Sequence, residues 1–311
     1  NPLINTLVQK IPEKITTHQA SFKKEIDNKK QDVFHWSEGS VTFGKIGDTN
    51  ISSSKIIETD AITFGSDRYT ENNGILGAAF RFGKNNIDVG NLGSNLDTNT
   101  LNLTLYSTSP IIEDTKFLDT VIGFGKLKSD ILSVVDGENL TADRDGRQFY
   151  ATFKIKEEVK KNNFIIIPSG RFDFGHTTLD NYVESGPGAI NVKKQTVRSN
   201  KLRLGFAASD DLPNDKYYFK RHGKLEFVSD FARSSNFKYN YVSDTSGSVF
   251  NKQLRSESLH HLNGEMGVDI VLPSGLSMFL TYERNQALDN SHTDKIHLAL
   301  GYLPNKETNY A

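Results

Sequence analysis

Apolar and polar residues alternate along most of this chain. One parity of the segment 75–82 is apolar and includes Leu76 and Phe80, whereas the other is small or charged and includes Arg81. The segment 101–106 repeats the pattern. Successive side chains leave a strand on opposite faces, so a period of two predicts β-strands that each have one apolar face.

About twelve stretches carry this alternation, an even number that is typical of closed membrane barrels. Many are longer than the roughly 5–6 residues that are usual in soluble proteins. A strand of about 9–11 residues crosses a bilayer at a tilt. The predicted strands lie near 33–46, 54–68, 74–84, 99–110, 115–131, 146–159, 163–180, 196–210, 217–234, 258–272, 275–287 and 292–304.

The predicted connections alternate between short and long. The short ones are 69–73, 111–114, 160–162, 211–216 and 273–274. The intervening ones are mostly longer and polar, at 85–98, 132–145, 181–195 and 235–257, with shorter ones at 48–53 and 288–291. Outer-membrane barrels have short periplasmic turns and long extracellular loops. We therefore predict a closed antiparallel transmembrane β-barrel with this orientation.

Composition supports a barrel over a disordered chain. The 311 residues are 36% hydrophobic and 10% aromatic, with a mean hydropathy of -0.49 and a net charge of -1. Few apolar residues with many aromatics fit a barrel, which needs apolar side chains only on its lipid face. A soluble all-β sandwich or solenoid remains the alternative.

Several classes of site are not expected. The chain has no cysteine, which excludes disulfides and thiolate metal sites. Its near-neutral charge argues against a nucleic-acid partner. No segment approaches the roughly 20 apolar residues of a membrane helix. The adjacent pair His260 and His261 would point to opposite faces of a strand, so we expect no metal site. We also expect no cofactor and no catalytic site.

Residues 1–31 follow a different pattern. Leu3, Leu7 and Ile11 share one helical face, and the segment carries six lysines against three acidic residues. It could be an amphipathic arm on a surface, or an α-helix in the lumen of an acidic barrel. We divide the chain into a helical segment, 1–31, and a barrel domain, 32–311.

The alternation assigns side chains to the two faces of the predicted barrel. The polar parity is expected to face the lumen and hold the helix, through Glu38, Arg81, Arg171, Asp173, Lys201, Arg203, Glu226, Asp230, Glu265, Asp269 and Glu283. The apolar parity is expected to face lipid, through Leu76, Phe80, Leu103, Leu105, Ile122, Phe124, Leu204, Phe206, Phe227, Val268, Ile270, Leu298 and Leu300. Tyrosines near strand ends could form interfacial girdles, namely Tyr69, Tyr106, Tyr182, Tyr217, Tyr218 and Tyr282.

Short segments in a fixed order carry a family resemblance over about residues 33–304. They are Trp36-Ser37-Glu38-Gly39, Gly65-Ser66-Asp67, the segments 74–80, 168–173 and 182–186, and Ser199 with Arg203 and Gly205. In these segments the chain resembles the translocator β-domain of the autotransporters, the type V secretion proteins.

The resemblance implies a twelve-stranded outer-membrane barrel with an N-terminal helix through its pore. Such a domain helps to export an upstream passenger, and its partners are outer-membrane lipid and the barrel-assembly machinery. We expect a monomer without enzymatic activity. Some relatives cleave themselves between asparagines in the pore, which a start at Asn1 would fit but which we do not expect here.

The C-terminus departs from the family pattern. Family members commonly end on an aromatic residue that the assembly machinery recognises, whereas here Pro304 and a polar tail, 305–311, follow the last strand. The alternative function is a porin-like channel or a surface adhesin whose long loops carry the activity.

Overall fold

The computed structural model describes residues 33–47, 53–72, 74–112, 115–162, 164–214, 217–232, 234–255, 259–288 and 292–302. These residues form seventeen strands: β1 (Phe34–Ile46), β2 (Lys55–Tyr69), β3 (Ile75–Val89), β4 (Ser94–Ile112), β5 (Lys116–Val135), β6 (Glu138–Glu157), β7 (Val159–Lys161), β8 (Phe164–Leu179), β9 (Tyr182–Val183), β10 (Ile190–Val192), β11 (Gln195–Asn214), β12 (Tyr217–Asp230), β13 (Ser234–Tyr241), β14 (Phe250–Arg255), β15 (His260–Val271), β16 (Leu276–Ala287) and β17 (His292–Tyr302). The predicted helical segment 1–31 and the predicted tail 305–311 lie outside the described residues.

Twelve of the strands close into one antiparallel barrel. Each pairs with its neighbours along the chain, in the order β1 to β6, β8, β11, β12, β15, β16 and β17. The first and last strands complete the circle, with Ser37 opposite Tyr302 and Ile46 opposite Thr293. Strand β7 continues the line of β6 beyond Glu158 and pairs with β8. Closure leaves no barrel strand with an unpaired edge.

Burial along each barrel strand follows the predicted period of two. In β2, Thr59 and Thr63 are buried, whereas Ile62 and Phe64 are about half exposed. A closed barrel shields one face of every strand, so the buried parity faces the interior. The chain therefore keeps polar residues inside and apolar residues outside, the reverse of a water-soluble protein.

The connections between strands are short at one end of the barrel and include long ones at the other. At the short-turn end the strands are joined through residues 70–74, 113–115, 162–163, 215–216 and 272–275. At the opposite end, which we call the loop end, β5 and β6 reach 20 residues each. The connections after β8 and β12 at this end are long enough to contain strands of their own.

The prediction of long loops at residues 85–98 and 132–145 is wrong. Residues 85–98 continue β3 and β4 and leave only a tight turn, in which Gly90 and Gly93 have φ of 63° and 86°. Residues 132–145 likewise extend β5 and β6 around Asp136 and Gly137, with φ of 52° and 83°. Two successive positive φ values suit a two-residue hairpin between twisted strands.

The two remaining long loops fold into a second sheet. Strands β9 and β10 lie between β8 and β11, and the hairpin of β13 and β14 lies between β12 and β15. Together they form a four-stranded antiparallel sheet in the order β14, β13, β10, β9, which we call the cap sheet. Among the residues that the structure describes, no helix is long and apolar enough to span a membrane.

Candidate functional site: the barrel lumen

The polar residues that the sequence assigned to the lumen lie on the shielded parity of the strands. Glu38, Arg171, Asp173 and Glu226 are at most 7% exposed. The seven others on that parity are buried or partly buried, namely Arg81, Lys201, Arg203, Asp230, Glu265, Asp269 and Glu283. Arg81 pairs with Thr63 across β2 and β3, and its guanidinium lies within electrostatic reach of Glu38. Contact of these groups with residues 1–31 remains a prediction, because that segment lies outside the described residues.

The apolar residues that the sequence assigned to lipid lie on the opposite parity. Ten of them are exposed on the outer wall, namely Leu76, Phe80, Leu103, Leu105, Phe124, Leu204, Phe206, Phe227, Leu298 and Leu300. Ile122, Val268 and Ile270 share that wall and are partly buried. Exposed apolar side chains on every barrel strand would be unfavourable in water.

Asp173 is the most buried charged group of the lumen wall, at 0% exposure. Its Oδ1 accepts hydrogen bonds from Arg171 Nε at 2.6 Å and from Thr152 Oγ1 at 2.8 Å. Its Oδ2 accepts from Arg203 Nε at 2.7 Å. Two guanidinium groups on β8 and β11 therefore share one carboxylate, and charge-assisted bonds of this kind are the strong ones.

The pairing continues around the wall from β11 to β15. Arg203 Nη1 lies 3.6 Å from Glu226 Oε2, and Lys224 Nζ lies 3.4 Å from the same oxygen. Lys224 Nζ also lies 3.2 Å from Glu265 Oε2. His222 then bridges the last two acids, with Nδ1 3.9 Å from Glu265 and Nε2 3.2 Å from Asp269. We call this series from Asp173 to Asp269 the charge ladder.

The charge ladder changes the expectation of an acidic lumen. Its acids Asp173, Glu226 and Glu265 are each within 4.0 Å of a lysine, arginine or histidine. On the neighbouring wall, Lys156 Nζ lies 3.1 Å from Asp119. The lumen is therefore lined by charges of both signs that largely compensate one another, because an unpaired ion in a shielded interior is costly.

Aromatic side chains line the lumen wall nearer the short-turn end. Trp36 Nε1 donates to Asp67 Oδ2 at 3.1 Å and lies 3.0 Å from Tyr106 Oη, and that phenol donates to Asp67 at 2.6 Å. Tyr150 Oη lies 2.6 Å from Thr104 Oγ1. Tyr106 is 6% exposed, so its proposed place in an outer tyrosine girdle is wrong. Tyr69 packs against this cluster too.

The loop end of the lumen is apolar instead. Inward-facing residues from six barrel strands, Ile57, Ile87, Leu96, Ile131, Leu179 and Val197, meet Tyr182, Val192 and Phe237 of the cap sheet. We call these nine residues the mouth cluster. Val192 is fully buried and Phe237 is 4% exposed. The cap sheet therefore covers the mouth of the barrel, and Tyr182 serves this packing rather than a girdle.

Hydrogen bonds hold the cap sheet to the barrel. Thr141 of β6 and Ser185 exchange two backbone hydrogen bonds, of 3.2 and 2.8 Å. Gln195 Nε2 donates to Ser235 Oγ at 2.8 Å, and the Ser235 hydroxyl donates to the Thr196 carbonyl at 3.1 Å. Arg144 Nε donates to the Asp180 carbonyl at 2.8 Å. Both loops of the cap sheet are thus tied to barrel strands.

One carboxyl group in the cap sheet has a shifted acidity. Burial raises the pKa of Glu184, and a hydrogen bond from the Ile190 backbone N–H, at 3.2 Å, partly offsets that rise. Desolvation disfavours the charged form of a carboxyl group, which is why burial acts in this direction.

No group of three or more histidine, aspartate or glutamate residues within the described part of the chain is arranged to hold a metal ion. Sequence reasoning missed Trp36, Asp67 and Tyr150 as lumen residues, although each lies on the inward parity of its strand. It also missed the mouth cluster, because the pairing of two distant loops leaves no local pattern.

Comparison with known proteins agrees with this architecture. The family model for the autotransporter beta-domain matches residues 35–283. No curated protein matches the sequence. Among solved structures, the translocator domain of autotransporter NalP from Neisseria meningitidis is similar, with a TM-score of 0.68 and 14% identity over 91% of this chain and 92% of that one.

Two further structures share the fold. The beta domain of the Bordetella autotransporter BrkA has a TM-score of 0.60 and 13% identity, over 88% of this chain and 99% of that one. The transport unit of the autotransporter AIDA-I from Escherichia coli has a TM-score of 0.52 and 14% identity, over 89% and 92% of the two chains. With a family match over most of its length, this chain belongs to the autotransporter beta-domain family.

Proposed function

We propose that this barrel lies in a bacterial outer membrane, where it anchors the chain and helps to export an upstream passenger to the cell surface. The observation that carries the proposal is the closed barrel of twelve strands, apolar outside and charged inside, in a member of the autotransporter beta-domain family. Membrane lipid, the passenger and the barrel-assembly machinery are its partners, and the barrel acts as a monomer.

The proposed orientation has the loop end at the cell surface and the short turns in the periplasm. The difference between the two ends supports it, because outer-membrane barrels elaborate their external side. Strand β1 begins with Phe34 at the short-turn end, so in this proposal residues 1–31 enter the barrel from the periplasmic side. The cap sheet then lies where an exported chain would leave.

In this proposal residues 1–31 pass through the lumen. The segment is rich in lysine, and the lumen offers Glu38, Glu283 and the acids of the charge ladder. Because the ladder acids already have cationic partners, the helix is held by redistribution of existing ion pairs rather than by a uniformly acidic wall.

Surface display of a reporter tests the function. A small soluble domain is fused before residue 1, and the fusion is expressed in a Gram-negative host with a secretion signal. The expected result is a reporter that added protease removes from intact cells, with the barrel retained in the outer membrane. A barrel that assembles normally, as judged by faster migration of the unheated protein on a gel, while its reporter stays inside the cell contradicts the proposal.

The mouth cluster weighs against the alternative of an open porin-like channel. Large apolar side chains such as Ile87 and Phe237 fill the loop end, where a general porin has a water-filled opening. A permanent solute channel would need this packing to be absent.

A further inference from the structure

A row of phenylalanine rings marks one border of the outer apolar band. Phe124, Phe149 and Phe174 lie side by side on β5, β6 and β8, with ring centroids 5.1 and 5.8 Å apart. The next outward positions toward the loop end are polar on all three strands. Aromatic girdles of this kind lie at the membrane interface of outer-membrane barrels. The row therefore locates the headgroup level at the loop end.

Cations occupy the positions just beyond this row. Lys126 follows Phe124 on the outer face of β5, and Arg147 precedes Phe149 on that of β6. Both are exposed, as are three other cations close to the same level. We call the five the basic border: Lys84, Lys126, Lys128, Arg147 and Arg198.

The register places two of these cations directly against each other. Lys126 is opposite Arg147, and the next neighbours across the sheet are Leu101 on one side and Thr178 on the other. Paired strands lie about 4.8 Å apart, and like charges opposite each other destabilise a sheet. Neither residue has an ion pair within 4.0 Å among the described residues, although Asp145 lies on the same outer face two residues before Arg147 on β6.

The flanking cations are less isolated. Lys84 is opposite Asp60, and Lys128 is opposite Asp145, although both acids are exposed and neither forms an ion pair within 4.0 Å among the described residues. The centre of the basic border is therefore the pair of Lys126 and Arg147.

Other outward cations of the barrel have carboxylate partners, including Arg284 at the loop end, whose Nη1 lies 3.5 Å from Asp294 Oδ1. At the short-turn end, Lys116 Nζ lies 3.7 Å from Glu157, and Arg221 pairs with Asp210. Arg68 on β2 has no ion pair there among the residues that the structure describes. These paired outward cations thus have a carboxylate partner in the chain itself, whereas Lys126 and Arg147 form no ion pair within 4.0 Å in the described part of the chain.

We propose that the basic border binds the phosphate groups of a phosphorylated glycolipid in the leaflet at the loop end. An ammonium group and a guanidinium group side by side match a phosphate, and arginine can bind it through two parallel hydrogen bonds. The phenylalanine row directly below would contact the acyl chains of the same molecule. The inference rests on the proposed outer-membrane orientation, in which this leaflet is the outer one.

Native mass spectrometry of the full chain in detergent tests the proposal. The protein is mixed with doubly phosphorylated lipid A, with the same lipid after enzymatic removal of its phosphates, and with phosphatidylglycerol. Inorganic phosphate is added separately as a competitor. The test variant is Lys126→Gln with Arg147→Gln, and the matched control is Lys116→Gln with Arg221→Gln. Unheated gel migration shows whether each variant remains a folded barrel.

We expect the wild type and the control to retain phosphorylated lipid A in preference to both other lipids. A cation near an anionic headgroup strengthens binding about fivefold, so the double variant should bind roughly 25-fold more weakly. Equal retention of the dephosphorylated lipid, or an unchanged double variant, overturns the proposal. Displacement by inorganic phosphate overturns a lipid site, and a preference for phosphatidylglycerol overturns the glycolipid assignment. Reporter display by the wild type is measured in parallel. If the reporter does not reach the cell surface while lipid binding is intact, the result contradicts the proposed function and leaves the lipid site standing.

Discussion

Glycine lies directly beneath an aromatic ring at several inward positions of the barrel. Gly65 is opposite Trp36, Gly77 is opposite Tyr106, and Gly123 is opposite Tyr150 on the neighbouring strand. A Cβ atom added at Gly123 would lie 2.1 Å from the Tyr150 ring. These glycines give the rings room to lie flat along the wall, which accounts for the mixture of glycine and polar residues on the inner parity.

Replacing Gly123 by alanine should therefore destabilise the barrel. The Tyr150 ring cannot move aside without straining the 2.6 Å hydrogen bond to Thr104, and overpacking of this kind costs about 1–3 kcal/mol. Urea unfolding in detergent, followed by the fluorescence of the single tryptophan, Trp36, measures the loss.

Gly264→Ala is the control for this substitution. No atom lies within 4 Å of a Cβ at Gly264. Equal destabilisation by the two substitutions would show that the loss comes from glycine itself and not from the contact with the ring.

A second prediction at the residue scale concerns Asp173 in the charge ladder. Asp173→Asn should lower the free energy of unfolding by about 3–5 kcal/mol, because it leaves Arg171 and Arg203 without their shared carboxylate in a shielded wall. Glu157→Gln breaks the exposed pair with Lys116 and should cost about 0–1 kcal/mol. The same unfolding measurement compares the two, and a similar small loss for both would show that the ladder is not a stabilising unit.

The strands themselves could largely be predicted from the sequence, because one periodic signal sets both the element and its faces. The expected strands 33–46 and 54–68 correspond to β1, Phe34–Ile46, and β2, Lys55–Tyr69. The signal failed where the strands leave the apolar band. In residues 85–98 the outward positions are polar, as at Asn86 and Asp97, while the apolar residues Ile87, Val89 and Leu96 lie on the inner face.

The cap sheet could not be predicted, for a different physical reason. Its strands are two to eight residues long and pair between loops that are far apart in sequence. Short strands are marginal on their own, and these form because Phe237 and Val192 are buried against the barrel mouth. The periodicity of the sequence does not give the register between barrel strands either. The ion pairs that make up the charge ladder therefore could not be predicted.

The cap sheet should loosen as the pH rises. The folded pKa of Glu184 is raised above its ordinary value of 4.5, so the folded state binds the proton more tightly than the unfolded state does. The contribution of Glu184 to the stability of the cap sheet is most favourable below pH 4.5 and declines as the pH rises through the raised folded pKa.

Amide hydrogen exchange at Ile190 and Val192, corrected for the intrinsic effect of pH, measures this change. Glu184→Gln should remove the pH dependence, and Glu138→Gln, an exposed carboxyl group at the start of β6, should leave it intact. Identical profiles in wild type and Glu184→Gln would rule out Glu184 as the responsible group.

At the scale of the whole molecule, the mouth cluster should limit conductance even without the N-terminal segment. In planar bilayers we expect a chain that lacks residues 1–31 to remain mostly closed, because apolar side chains fill the loop end. Replacing residues 234–255 by a short glycine and serine linker in the same chain should produce a wide, stable opening.

Replacement of only the exposed tip, residues 243–249, serves as the control and should leave the mouth closed. A wide opening in the chain that lacks only residues 1–31 would contradict this expectation. That result would show that the N-terminal segment alone closes the pore.

The pairing of β1 with β17 sets the order in which the molecule can be made. Ser37 has no partner for one edge of its strand until Tyr302 has been synthesised, so every shorter nascent chain is an open sheet. Contacts between distant parts of a chain form slowly, and open strand edges attract other chains. Translation must therefore finish before the circle can close, and during that interval the apolar face and the two free edges of the chain are open to other chains.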